Sequence, residues 1–91
     1  MRKQANIIIT GRVQGVFFRA SAKEKALELG IAGWIKNTSD GGVALVAQGK
    51  EEQLKAFLQW CKKGPPRAEV LHVDIQSQKT LEEFKGFRIT G

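Results

Sequence analysis

A chain of 91 residues has room for one small domain, and residues 1–91 are expected to fold as a single unit around one modest core. Its 42% hydrophobic and 26% charged residues make a globular balance, which excludes a disordered, collagen-like or disulfide-stapled chain. Fifteen Lys and Arg against nine Asp and Glu give a net charge of +6. These basic residues are scattered, with only Arg2-Lys3 and Lys62-Lys63 adjacent, so the charge reads as a solubilising surface rather than a polybasic patch for nucleic acid or membrane.

Cys61 is the single cysteine. It permits no internal disulfide and fits a reducing, cytoplasmic setting. The first residues are basic but lack the apolar stretch of a secretory signal, and no apolar run approaches the length of a membrane span.

The first strand is expected from Ala5 to Thr10, rich in β-branched residues. Gly11-Arg12-Val13-Gln14-Gly15 follows as a loop with two glycines. The spacing of Phe18, Ala22, Ala26 and Leu29 then predicts a helix over Phe18 to Leu29, ended by Gly30. Ile31 to Asn37 reads as a second strand and Val43 to Gln48 as its return. Thr38-Ser39-Asp40-Gly41-Gly42 forms the turn between them, where Asp-Gly is a strong hairpin signal.

A second helix is predicted from Glu51 to Lys63. Leu54, Phe57, Leu58 and Cys61 fall at i, i+3, i+4 and i+7. Glu51 and Glu52 open it and Lys62 and Lys63 close it, as the helix dipole prefers, and Gly64-Pro65 stops it. Cys61 on this apolar stripe reads as a buried, inert thiol. Val70 to Gln76 alternates, with Leu71, Val73 and Ile75 expected on the buried face and His72, Asp74 and Gln76 on the other. Phe87 to Thr90 closes the chain as a short strand. The order β-α-β-β-α-β with a short extra C-terminal strand predicts an α+β, ferredoxin-like sandwich: an antiparallel sheet with two helices on one face.

No metal site is expected. His72 and Cys61 are the only residues of their kinds and sit on different elements, whereas zinc takes three or four such ligands. A lone histidine on the polar face of a strand also argues against a hydrolase built on Ser-His or Cys-His.

The segment from Gly11 to Arg19 differs from the rest. A strand leads through a glycine-containing loop into a helix start, where free backbone N–H groups make an anion site. Consecutive loop amides can form a concave nest for phosphate oxygens, and Gly11 and Gly15 permit the backbone angles this needs. Arg19 in the first helical turn opposes the helix dipole at a cost of about a few tenths of a kcal/mol. An anion between Arg19 and the amides removes that conflict. Spacing alone leaves open a plain tight turn with a solvated arginine.

The run Gly11-Arg12-Val13-Gln14-Gly15-Val16-Phe17-Phe18-Arg19, together with Gly33-Trp34-Ile35-Lys36-Asn37-Thr38-Ser39-Asp40-Gly41, resembles the acylphosphatase family. Ala47-Gln48-Gly49 and Phe84-Lys85-Gly86-Phe87-Arg88-Ile89 extend the resemblance over nearly the whole chain. It implies hydrolysis of acyl phosphates to a carboxylate and inorganic phosphate, without metal or other cofactor. On this resemblance Gln14, Gly15, Val16, Phe17, Phe18 and Arg19 bind the phosphoryl group, largely through backbone N–H groups. Arg19 matches the family's catalytic arginine, and Asn37 matches the asparagine that orients the attacking water. Without the resemblance, Asn37 reads as a residue capping the hairpin. The implied partners are a small acyl phosphate and inorganic phosphate, the latter as product and inhibitor. No nucleic acid or membrane partner is expected, and the chain is expected to be a monomer or a weak homodimer.

Two other readings share the element order. An RNA-binding module of this kind stacks bases on aromatic residues of its two central strands, but Ala5 to Thr10 and Val43 to Gln48 contain none. A regulatory module that binds a small molecule differs from an enzyme by the absence of turnover.

Overall fold

The computed structural model describes residues 2–79 and 82–90. It comprises β1 (Arg2–Arg12), α1 (Phe18–Leu29), β2 (Ala32–Asn37), β3 (Val43–Lys50), α2 (Glu51–Lys63), β4 (Glu69–Gln78) and β5 (Phe87–Ile89). The strands form one sheet in the order β4-β1-β3-β2-β5. The four longer strands pair antiparallel, which is the ferredoxin-like arrangement. β5 adds to β2 in parallel, so the complete sheet is mixed rather than purely antiparallel.

Alternation along the strands decides which side is dry. Ala5, Ile7 and Ile9 of β1, Val43, Leu45 and Ala47 of β3 and Ile35 of β2 are all buried in one cluster with Phe18, Ala22 and Ala26 of α1 and Leu54, Phe57 and Cys61 of α2. Both helices therefore cover the same sheet face. The helices begin and end where periodicity and capping place them. Gly30 closes α1 in the left-handed region at φ 73°, donating its N–H to the last turn, as a C-terminal glycine does. Gly64 follows α2 at φ 72°, and a Cβ there would lie 2.7 Å from the ring of Phe18. The close approach of the two helix ends thus depends on a missing side chain.

The fourth strand departs from simple alternation. The pairing steps from Thr10–His72 to Gly11–Val70, a bulge that leaves Leu71 as the extra residue. Val70, Val73 and Ile75 pack on the core, whereas Leu71, expected beside Val73 and Ile75, is 73% exposed. The bulge needs Gly11: its φ is 127°, and a Cβ would fall 2.2 Å from the carbonyl oxygen of Glu69. Gly11 is therefore the hinge of a strand that runs on to Arg12, and not the start of the loop.

The connection from β4 to β5 crosses the sheet, because the two strands lie at opposite edges. Gln48, the one buried polar or charged side chain among the described residues at 0% exposure, grips it. Gln48 Oε1 accepts from the Phe84 N–H at 3.0 Å, and Nε2 donates to Gln4 Oε1 at 2.8 Å and to the Glu82 carbonyl. All these contacts lie at the end of the sheet remote from Asn37.

Candidate active site

The segment between β1 and α1 is pinned by three buried apolar side chains, Val13, Val16 and Phe18. Between the anchors the backbone adopts left-handed angles twice, at Gly15 (φ 73°) and Phe17 (φ 64°), with Val16 between them outside the positive region. Alternation of this kind turns successive N–H groups toward one side and builds an anion-binding concavity. Phe17 is the only non-glycine residue at positive φ among the described residues. Such a conformation costs an ordinary L-residue roughly 1–2 kcal/mol, and strain of this sort gathers at functional sites.

The same Phe17 is the N-cap of α1. No side chain caps this end, and its first turn holds no acidic residue. Its carbonyl accepts the Ser21 N–H at 3.0 Å, so the helix starts cleanly while its leading N–H groups face outward. The positive end of the dipole is thus left for an external anion.

Asn37 ends β2 opposite Val43. Alternation puts it on the same face as buried Ile35, which is the helix side, toward the start of α1. Its Oδ1 is buried and accepts no hydrogen bond among the described residues. An unmet buried acceptor is costly, about 1–3 kcal/mol. The hairpin turn does not use it. Thr38 closes that turn instead: its N–H donates to the Gly42 carbonyl at 2.9 Å, and its Oγ1 accepts from the Gly42 N–H at 3.0 Å and donates to Asp40. The Thr38 hydroxyl, followed by the Gly42 N–H, holds the Asp40 carboxyl below the usual carboxylate range.

Helix start and strand end meet in a cleft of about 310 Å³, at the small end of ligand-sized sites. Gly15, Phe17, Phe18, Arg19 and Asn37 line it, together with Ile89 of β5. Five of the seven sequence-derived site residues are therefore brought together. The other two, Gln14 and Val16, do not line it. The side chain of Val16 is buried, and that of Gln14 reaches away to the hairpin turn, where Nε2 donates to the Thr38 and Gly42 carbonyls at 2.8 Å each. The sequence reading missed this cross-link, and also Ile89. Neither carries a local signal, since both depend on which segments become neighbours.

A larger groove of about 740 Å³ runs beside Trp60 between the helices. Glu24, Lys25, Glu28 and Lys63 mix both charges along it, and it contains neither the loop amides nor Asn37. Size therefore does not mark the reactive place. Among the described residues no group of three His, Cys, Asp or Glu is gathered as metal ligands, and no helix is long and apolar enough to cross a membrane.

A family model described as Acylphosphatase matches residues 5–89. The chain belongs to the acylphosphatase family. It is 46% identical to the acylphosphatase of Methylococcus capsulatus over 87 residues, covering 96% of this chain and 95% of that one. Its fold superposes on the crystal structure of the Bacillus subtilis acylphosphatase with a TM-score of 0.94, at 37% identity and full coverage of both chains. The Coxiella burnetii acylphosphatase aligns with a TM-score of 0.92, at 38% identity over 98% of this chain and 93% of that one. Membership makes this chain an enzyme that hydrolyses acyl phosphates.

Proposed function

We propose that the cleft between α1 and β2 is where this acylphosphatase binds and hydrolyses its substrate. The phosphoryl oxygens accept hydrogen bonds from the backbone N–H groups of residues 14–18 and from the Arg19 guanidinium. Arg19 supplies a fixed, always-charged fork, and a phosphoryl dianion relieves its unfavourable place at the positive end of the helix. Asn37 Oδ1 accepts a hydrogen bond from a water molecule and holds that water in line with phosphorus. The water oxygen bonds to phosphorus as the bond from phosphorus to the acyl oxygen breaks. The electron pair leaves on the carboxylate, and the water proton passes to phosphate oxygen or solvent.

The chemistry needs little more than this. Phosphoryl transfer relies on positioning and charge stabilisation. A carboxylate whose conjugate acid has a pKa of ~4 departs without a general acid. An amide oxygen is no strong base, but it fixes the line of attack. The observation that carries the reading is the buried, unpartnered Oδ1 of Asn37 in the same cleft as the uncapped start of α1.

Inorganic phosphate, sharing these contacts, acts as product and competitive inhibitor. The buried thiol of Cys61 suits a reducing, cytoplasmic setting, and the chain acts as a monomer or weak homodimer. The test is phosphate release from benzoyl phosphate and acetyl phosphate in excess EDTA. Turnover that persists supports this mechanism; loss on chelation with recovery on adding Mg²⁺ or Zn²⁺ sinks it.

A further inference from the structure

Arg19 and Asn37 leave part of the cleft wall to apolar side chains. Phe17 is 75% exposed and Ile89 41% exposed, two of the few large hydrophobic residues so placed, and both line this cleft. Each position has a physical cost. Phe17 holds a bulky ring in water from a left-handed backbone at φ 64°, where glycine or asparagine sits more easily. Ile89 leaves an apolar surface open on the final strand, although Phe87 on the same strand is buried.

The backbone at both positions is held by main-chain hydrogen bonds or strand pairing. The Phe17 carbonyl accepts the Ser21 N–H. Ile89 is in register with Ile35, and the Thr90 N–H donates to the Ile35 carbonyl at 2.9 Å. An apolar wall carried on a restrained backbone loses less freedom on binding than one on a loose loop. Among the lining residues Arg19 alone is charged, and the proposed phosphoryl site uses it. Nothing else in the cleft wall offers a charge to a second ionic group.

We infer that Phe17 and Ile89 form the acyl-group subsite of this enzyme, favouring carboxyl phosphates whose acyl part is uncharged and apolar, aromatic groups above all. The inference rests on the reading of the cleft as the phosphoryl site. The ring of an aroyl group lies against the exposed face of Phe17, a contact that prefers offset or edge-on packing, and its outer edge is covered by Ile89. An acetyl group is too short to gain much from either.

The experiment compares kcat/KM for benzoyl phosphate and acetyl phosphate in the wild-type chain, Phe17→Ala, Ile89→Ala and Ile89→Thr. Alanine bears the same left-handed penalty as phenylalanine, so the loop backbone keeps its bias, and threonine keeps the β-branched shape of isoleucine while adding polarity. Circular dichroism confirms folding. Taking the ratio of the two substrates within each variant removes changes at the phosphoryl site and differences in intrinsic reactivity. The expected result is a benzoyl-to-acetyl ratio reduced about tenfold in Phe17→Ala and severalfold in both Ile89 variants, mainly through KM for benzoyl phosphate. A ratio within twofold of wild type in the folded variants, or parallel losses on both substrates, overturns the subsite. Failure of the wild-type chain to hydrolyse either substrate would instead overturn the reading of the cleft itself.

Discussion

The side-chain amide of Gln14 donates to the main-chain carbonyl of Thr38 at 2.8 Å, tying the loop before α1 to the turn that follows Asn37. Its second N–H reaches the Gly42 carbonyl at the same distance. The two halves of the cleft come from segments 24 residues apart, and this side chain links them directly. In the proposed mechanism Gln14 is a positioning residue. Gln14→Leu and Gln14→Glu both lose the two donors, and the glutamate also faces carbonyl oxygens with like charge. Each is expected to lower stability by about 1–3 kcal/mol and to reduce kcat more than it raises KM, because a small displacement of the water-holding group costs rate. Thermal melts and steady-state kinetics check this; an unchanged kcat in a folded Gln14→Leu protein would show that the link is structural only.

Arg19 and Asn37 should separate by kinetics. In the proposed mechanism Arg19 pairs with oxygens charged in ground state and transition state alike, so Arg19→Ala is expected to weaken phosphate binding by roughly tenfold or more and to lower kcat. In the same mechanism Asn37 acts on the water. Asn37→Ala is expected to lower kcat by roughly a hundredfold while phosphate affinity stays within a few-fold. Asn37→Asp should be no better than alanine, since its added charge repels the phosphoryl group. Calorimetric titration with phosphate beside kinetics of each variant gives both quantities. A folded Asn37→Ala with near wild-type kcat would return Asn37 to a role in the strand end.

Phosphate titration followed by amide chemical shifts should perturb residues 14 to 19 first. These N–H groups surround the uncapped helix start, and no acidic side chain competes there. Shifts centred instead on Lys62 and Lys63 would show that the basic end of α2 is the stronger anion site.

Cys61 makes a prediction about alkaline stability. It is fully buried among apolar neighbours, and burial pushes its thiol up to about 12 from 9.0. The folded state therefore keeps the proton that the unfolded chain loses. This contribution is whole below about pH 9 and declines as pH rises toward 12. Stability measured by urea denaturation should fall over that window, and Cys61→Ala should flatten the fall. In the native protein iodoacetamide should leave Cys61 unmodified at pH 8, with full labelling in urea. Rapid native labelling would show that the core around α2 opens readily.

Much of the candidate site's location was legible in local sequence. The helices Phe18–Leu29 and Glu51–Lys63 follow from a 3.6-residue apolar period and glycine stops, signals that neighbouring residues carry among themselves. The start of α1 carried its own marks, glycines before it and an arginine where an acid is usual, and resemblance added Asn37. Tertiary structure decided the rest. The bulge that turns Leu71 outward exists because Gly11 meets the backbone of β4, a contact between segments far apart in the chain. The parallel pairing of β5 with β2 brings Ile89 to the cleft, and its crossover is gripped by Gln48 from another strand. Gln14 spends its side chain on the turn after β2, while its sequence neighbours face the cleft. Each outcome depends on register and packing between distant segments, whose geometry no local pattern encodes.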